Sequence, residues 1–105
     1  MMLGVIHGVE HLHSRNIIHR DIKPENVFVD ESFRPFIGDF GTSKLIKSDN
    51  SDTESNDEIM GTPFYIAPEI LLCEKHTVKA DIYSIGTFLF VCSTFYHYRM
   101  RLHQV

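Results

Sequence analysis

Near its start the chain alternates hydrophobic and polar positions at helical spacing. Val5, Val9 and Leu12, with Ile6 beside Val5, recur every three or four residues. One face of an α-helix has this period. The pattern therefore predicts an amphipathic helix over residues 3–13, which ends where polar turn residues follow it.

Short hydrophobic runs come after this helix. Ile17-Ile18 and Val27-Phe28-Val29 consist of β-branched and aromatic residues, which favour strands. Residues 30–34 have the character of a turn that leads back through Phe36-Ile37. We therefore expect short β-hairpins around residues 19–26.

Two longer stretches are opposite in polarity. Residues 47–58 contain no apolar side chain and many acids, so they cannot bury enough surface to become ordered. We expect a flexible loop there. Residues 82–92 form the longest nearly apolar stretch, which is well short of the roughly 20 residues that a bilayer span requires. We expect this stretch to be a buried helix.

Composition bounds the size of the fold and the class of partner. The chain has 105 residues, 43% of them hydrophobic, which is enough for one modest core. Its formal net charge is -4 and its basic residues are scattered, so we expect no binding to nucleic acid or membranes. Cys73 and Cys92 lack metal-type spacing, and the N-terminus lacks a secretion signal. We expect one domain or part of one in the reducing cytoplasm, with its oligomeric state left open.

Three motifs carry the candidate chemistry. Residues 19–26 read His-Arg-Asp-Ile-Lys-Pro-Glu-Asn, which taken alone is compatible with an ordinary charged turn. Residues 39–41 read Asp-Phe-Gly after a strand-like run, and residues 61–69 read Gly-Thr-Pro-Phe-Tyr-Ile-Ala-Pro-Glu. In this order the motifs resemble the catalytic loop, the magnesium-binding tripeptide and the substrate-docking loop of a eukaryotic-type protein kinase.

The resemblance covers roughly residues 3–92 and implies a partial kinase domain over residues 1–105. The implied fold is an α+β large-lobe fragment, mainly helical with short β-hairpins around the catalytic loop. Its activation segment spans residues 39–69, and its central helix begins at about residue 81. The small lobe and the late helices of the family have no counterpart in these residues, so we expect the isolated chain to be inactive.

The resemblance also implies roles for individual residues. Phosphoryl transfer in this family needs a carboxylate that orients the acceptor hydroxyl, a cation on the migrating oxygens and ligands for Mg²⁺. Asp21 and Lys23 match the catalytic pair, and Asn26 and Asp39 match the metal ligands. For Phe28, a plain core position is the alternative to a position beneath the nucleotide. The implied ATP-binding residues are Lys23, Glu25, Asn26, Phe28 and Asp39.

Supporting roles fall to residues on both sides of the catalytic loop. Thr62 is expected to hydrogen-bond Asp21 and Lys23, and Asp81 to anchor the backbone around Arg20. Glu69 is expected to lack the arginine that pairs with it in the family. Arg20 in this family commonly receives an activation-loop phosphate, although the acidic loop is equally compatible with a purely solubilising role. The candidate phosphorylation sites are Ser48, Ser51, Thr53 and Ser55.

Lys23, two residues after Asp21, is typical of serine/threonine kinases rather than tyrosine-specific ones, and the tyrosine-kinase-like branch of that type is compatible with the loop. The expected partners are protein substrates and the expected cofactors are ATP and Mg²⁺. One alternative is a pseudokinase-like binding module that keeps residues 61–69 for docking. A remote alternative is a zinc metallopeptidase built on the H-x-x-E-H pattern of His7, Glu10 and His11.

Overall fold

The chain folds into helices and two small antiparallel sheets. The computed structural model describes residues 2–46 and 59–102. Its elements are α1 (Met2–Ser14), β1 (Ile17–Ile18), β2 (Val27–Val29), β3 (Pro35–Ile37), β4 (Lys44–Leu45), α2 (Pro68–Leu71) and α3 (Lys79–Leu102), with 3-10 turns at Pro24–Asn26 and Phe40–Thr42. The α+β class expected from the sequence is confirmed at this level.

Helix α1 forms where the hydrophobic period predicted it. Val5 and Val9 are buried on its inner face. Two glycines allow β3 to approach closely, because a Cβ at Gly4 would lie 2.4 Å from Pro35 Cγ, and one at Gly8 would lie 3.1 Å from a methyl carbon of the same strand. The backbone of α1 therefore packs directly on side chains of β3.

The β-hairpin predicted over residues 27–37 is present. The structure also has a second two-stranded sheet, which the sequence did not predict. Strands β2 and β3 pair in the register Val27 to Ile37 and Val29 to Pro35. Asp30 holds the connecting turn, because its Oδ1 accepts from two backbone amides of that turn at 2.9 Å. Strand β1 pairs instead with β4, which brings residues 17–18 beside residues 44–45. This second pairing brackets the catalytic loop.

Helix α3 is longer and far more exposed than the sequence predicted. A helix does cover residues 82–92, but the prediction that it is buried is wrong. Phe90 is 73% exposed, and within α3 the buried residues are Ala80, Asp81, Ser84, Ile85 and Phe88. The physical reason is that the rest of the described chain packs only against the first half of the helix, on one face. Among residues 2–46 and 59–102, no helix combines the length and apolar character needed to cross a bilayer.

In the described part of the chain, buried hydrophobic side chains form two small clusters, one of which includes a residue of the predicted catalytic loop. The first joins α1, the loop and α3 through Val9, Ile22 and Ile85, with Met2 and Ile37 packed against it. The second joins α2 to the start of α3 through Ala67, Ile70 and Ala80. Because Ile22 lies inside the predicted catalytic loop, burying it fixes the loop against both long helices.

Candidate active site

Asp81 anchors the backbone at the start of the catalytic loop. Its carboxylate is fully buried and accepts from the backbone N–H groups of His19 and Arg20, both at 2.9 Å. The Nε2 of His13 lies 2.8 Å from the same carboxylate. The contact with His13 was not predicted, because it joins residues 68 positions apart. The two backbone hydrogen bonds therefore tie the start of the loop to helix α3.

Asp21, Lys23 and Thr62 form one hydrogen-bonded chain. Lys23 Nζ donates to Thr62 Oγ1 at 2.6 Å, and Thr62 Oγ1 donates to Asp21 Oδ1 at 2.7 Å. Lys23 Nζ also lies 3.6 Å from Asp21 Oδ2, and the two side chains are only 20% and 12% exposed. These are the contacts that the family resemblance implied for Thr62, and they join residue 62 to the predicted catalytic loop. The result is a partly shielded carboxylate with a cation beside it.

His19 connects the catalytic loop to the segment that carries Asp39. Its Nδ1 accepts from the backbone N–H of Asp21 at 3.2 Å, so its Nε2 carries the hydrogen and donates to the carbonyl of Gly38 at 2.8 Å. Its ring also meets Phe40 edge to face, with centroids 5.2 Å apart. His19 is fully buried, so water does not compete for these two hydrogen bonds. The roles of this ring and of Phe40 were not predicted.

Of the predicted metal ligands Asn26 and Asp39, Asn26 is bonded through its backbone to Gly38, the residue before Asp39. The Gly38 N–H donates to the Asn26 carbonyl at 2.9 Å, which holds the residue before Asp39 against the catalytic loop. The Nδ2 of Asn26 donates to both the carbonyl and the carboxylate of Asp21, at 2.8 and 3.2 Å. Its amide oxygen is therefore left as an acceptor.

The donor atoms of this pair suit a magnesium ion. Asp39 lies on the surface in the left-handed region, with φ 55°, and one of its carboxylate oxygens accepts a long bond from the Gly41 amide at 3.4 Å. Mg²⁺ prefers carboxylate and amide oxygens, and it commonly takes only one or two protein ligands alongside substrate phosphates. Asn26 and Asp39 supply oxygens of both kinds, so the residues present fit the ion.

Phe28 and Glu25 lie at the edge of this region. Phe28 is 46% exposed and stacks on Phe36 with ring centroids 5.6 Å apart, so the plain core position considered for it is wrong. Glu25 is exposed on the 3-10 turn of the catalytic loop. Burial raises the pKa of the Tyr65 hydroxyl, and the negative charges of Glu25 and Cys92 raise it further.

Arg20 and Glu69, predicted to support the site, differ in how well they are held. The Arg20 Nε donates to the Thr42 carbonyl, and one of its terminal nitrogens lies 3.4 Å from His76 Nδ1. Glu69 is half-buried, and among the described residues its carboxylate has no hydrogen-bond or ion-pair partner. The candidate phosphorylation sites Ser48, Ser51, Thr53 and Ser55 lie outside the described residues, so their relation to Arg20 stays a prediction.

The alternative metal site on α1 gains no third ligand. His7, Glu10 and His11 are all exposed on the helix. Within the described part of the chain, no group of three or more histidine, cysteine, aspartate or glutamate side chains is arranged to hold a metal ion. A zinc site needs at least three protein ligands in such enzymes.

Comparison with known proteins identifies the family. The model of the protein kinase domain matches residues 1–101. The chain is 42% identical over 92 residues to the ovarian-specific serine/threonine-protein kinase Lok of Drosophila melanogaster, covering 82% of this chain and 18% of that protein. It is 49% identical over 74 residues to the G2-specific protein kinase nim-1 of Neurospora crassa, covering 70% of this chain and 8% of that protein.

A plant relative extends the comparison. The probable L-type lectin-domain containing receptor kinase S.5 of Arabidopsis thaliana is 38% identical over 92 residues, covering 85% of this chain and 14% of that protein. The chain thus spans less than a fifth of the length of these curated relatives. The resemblance inferred from the three motifs is confirmed: the chain belongs to the protein kinase domain family.

Proposed function

We propose that these residues form the large-lobe part of a serine/threonine kinase active site, with Asp21 as the residue that orients the acceptor hydroxyl. The observation that carries the proposal is the chain of hydrogen bonds from Lys23 through Thr62 to Asp21 Oδ1. It holds one carboxylate oxygen of Asp21 in place, and a positioned carboxylate is what this reaction requires of the protein.

Each residue of the chain has a distinct task in the proposed mechanism. Asp21 accepts the hydrogen bond of a serine or threonine hydroxyl and takes its proton. Lys23, held 3.6 Å from that carboxylate, supplies a positive charge for the migrating phosphoryl oxygens. Asn26 and Asp39 would hold Mg²⁺ through their side-chain oxygens. When bound, MgATP supplies the phosphoryl group and much of the charge neutralisation.

Two features support the serine/threonine assignment and the cellular compartment. Lys23 follows Asp21 by two residues, and relatives of this chain carry serine/threonine kinase names. Cys73 and Cys92 are both free, as thiols usually are in a reducing compartment. We therefore propose protein serine and threonine residues as acceptors and a cytoplasmic location for this part of the protein.

The test is transfer of label from ATP, marked at the γ-phosphate, to a generic protein substrate by a longer chain that adds the small lobe of a protein kinase domain to these residues. We expect label in phosphoserine or phosphothreonine and none without Mg²⁺. Substituting Asp39→Asn should raise the Mg²⁺ concentration needed for half-maximal transfer by about tenfold or more. Label in phosphotyrosine, or transfer that does not depend on Mg²⁺, would contradict the proposal. Absence of transfer with retained substrate binding would support the binding-module alternative instead.

A further inference from the structure

Gly38, the residue before Asp39, is held on three sides. Its N–H donates to the Asn26 carbonyl at 2.9 Å, and its carbonyl accepts from His19 Nε2 at 2.8 Å. The third contact comes from Phe28, because a Cβ at Gly38 would lie 2.6 Å from Cε2 and 2.9 Å from Cδ2 of that ring. Real Cβ atoms essentially never come within 3.0 Å of another heavy atom. The ring of Phe28 therefore occupies the space that a side chain at position 38 would need.

The space around Gly38, and not its backbone conformation, is what requires a glycine there. The φ of Gly38 is not positive, so its backbone alone would accept a side chain. The ring that fills the space is itself held in place, since Phe28 stacks on Phe36 of the paired strand with an angle of 24° between the rings. Displacing the ring of Phe28 would cost this aromatic contact.

The direction of the backbone at Gly38 matters because Asp39 follows it directly. Asp39 has φ 55°, in the left-handed region, and its side chain is exposed. The bond that its carboxylate accepts from the Gly41 amide is long, at 3.4 Å, so it gives the carboxylate little support. The position of this carboxylate therefore depends on how firmly Gly38 is held.

We propose that Phe28 is a positioning residue for Asp39: by filling the space over Gly38, its ring fixes the direction in which the chain leaves β3 and so sets the affinity of the site for Mg²⁺. The inference rests on the proposed function, in which Asn26 and Asp39 hold the ion. It is separate from the nucleotide contact that the resemblance implies for Phe28, because it operates without nucleotide. Removing a group that orients a metal ligand typically weakens metal binding about tenfold or more.

The test adds Mn²⁺, a paramagnetic substitute for Mg²⁺ that broadens the NMR signals of nearby nuclei, to the 105-residue chain without nucleotide. We expect the Asn26 side-chain amide and the Asp39 backbone amide to broaden at the lowest Mn²⁺ concentrations. Phe28→Ala should raise the concentration for half-maximal broadening about tenfold. Phe28→Tyr keeps the ring atoms that meet Gly38 and should leave this midpoint within about twofold of the wild type. Hydrogen exchange of the Gly38 amide, measured without metal, should be faster in Phe28→Ala.

A second substitution separates positioning from a general loss of packing. With Phe28 present, the methyl group of Gly38→Ala meets the ring, so the midpoint should rise about tenfold; in the Phe28→Ala background the space is open, and the same substitution should change it by less than about twofold. Gly4→Ala is the matched control, because its Cβ would meet Pro35, at the end of β3 remote from Asp39. It should lower the urea midpoint of unfolding while the Mn²⁺ midpoint stays unchanged. Circular dichroism confirms that each variant is folded.

Equal Mn²⁺ midpoints for Phe28→Ala and the wild type would overturn the proposal, and so would an effect of Gly38→Ala that is as large without the ring as with it. Absence of broadening at Asn26 and Asp39 in the wild type would overturn the metal assignment and the proposal together. Mn²⁺ binding that depends on Phe28, in a protein that transfers no phosphate, would overturn only the proposed phosphoryl transfer and support the positioning role.

Discussion

Replacing Asp81 with asparagine should destabilise the chain by about 3 kcal/mol. The buried carboxylate accepts from the His19 amide and His13 Nε2 on one oxygen and from the Arg20 amide on the other. Asparagine keeps the shape but must direct an NH₂ group at donors on one side. With its oxygen toward His19, the Arg20 amide is left unsatisfied at about 1–3 kcal/mol. The remaining bonds lose their charge assistance, at about 1 kcal/mol together.

The measurement is urea unfolding followed by circular dichroism, with hydrogen exchange of the Arg20 amide as a local readout. We expect a lower midpoint, an unchanged m-value and faster exchange at Arg20. Thr94→Ala is the control on the same helix, because its hydroxyl makes only an exposed bond to the Phe90 carbonyl at 2.9 Å, and it should change stability by less than about 0.5 kcal/mol. A loss below about 1 kcal/mol for Asp81→Asn would refute the anchoring role.

Three further predictions concern the same region. Gly61→Ala should cost about 2–3 kcal/mol in urea unfolding, because Gly61 has φ 114° and a Cβ would meet the Arg20 carbonyl at 2.7 Å; a loss under about 0.5 kcal/mol would contradict this. Burial and then the charge of Glu25 raise the folded-state pKa of Tyr65 above 10.0, so its contribution to stability is complete below pH 10.0 and is lost as the pH rises through the raised pKa. Tyr65→Phe should flatten this alkaline decline, and an identical pH profile would argue against it. Calorimetric titration of the 105-residue chain should give a Kd for MgATP no tighter than about 1 mM, because Asn26, Asp39 and the exposed ring of Phe28 are the few contacts proposed for it in the described residues. Micromolar binding would disprove this.

The sequence predicted elements that have a local period and missed those that depend on distant contacts. The spacing of Val5 and Val9 indicated α1, and β-branched residues on either side of a polar turn indicated the β2–β3 hairpin. The sequence did not predict strand β4, because two residues are too few to show an alternation of hydrophobic and polar positions. The strand exists only through its pairing with β1. The sequence also did not predict the exposure of α3. The hydrophobicity of a helix indicates which residues it can bury, but not whether another element packs against them.

The site was predictable where the motif is contiguous. Asp21, Lys23 and Asn26 lie within eight consecutive residues, so their proximity follows from the loop itself. The contact of Thr62 followed only from the family resemblance. His13 gave no signal, because a histidine on an amphipathic helix is typical of a surface position. Its partner lies 68 residues away in the sequence, and only the packing of α1 on α3 brings the two together.

The rate of phosphoryl transfer by Asp21→Asn tests the central claim most directly. In a longer chain that adds the small lobe of a protein kinase domain to these residues, with ATP labelled at the γ-phosphate and saturating substrate, we expect kcat to fall by about 100-fold or more while circular dichroism remains unchanged. Glu10→Gln, an exposed position on α1, should retain full activity. Transfer by Asp21→Asn at the wild-type kcat would contradict the assignment of Asp21 as the residue that orients the acceptor hydroxyl.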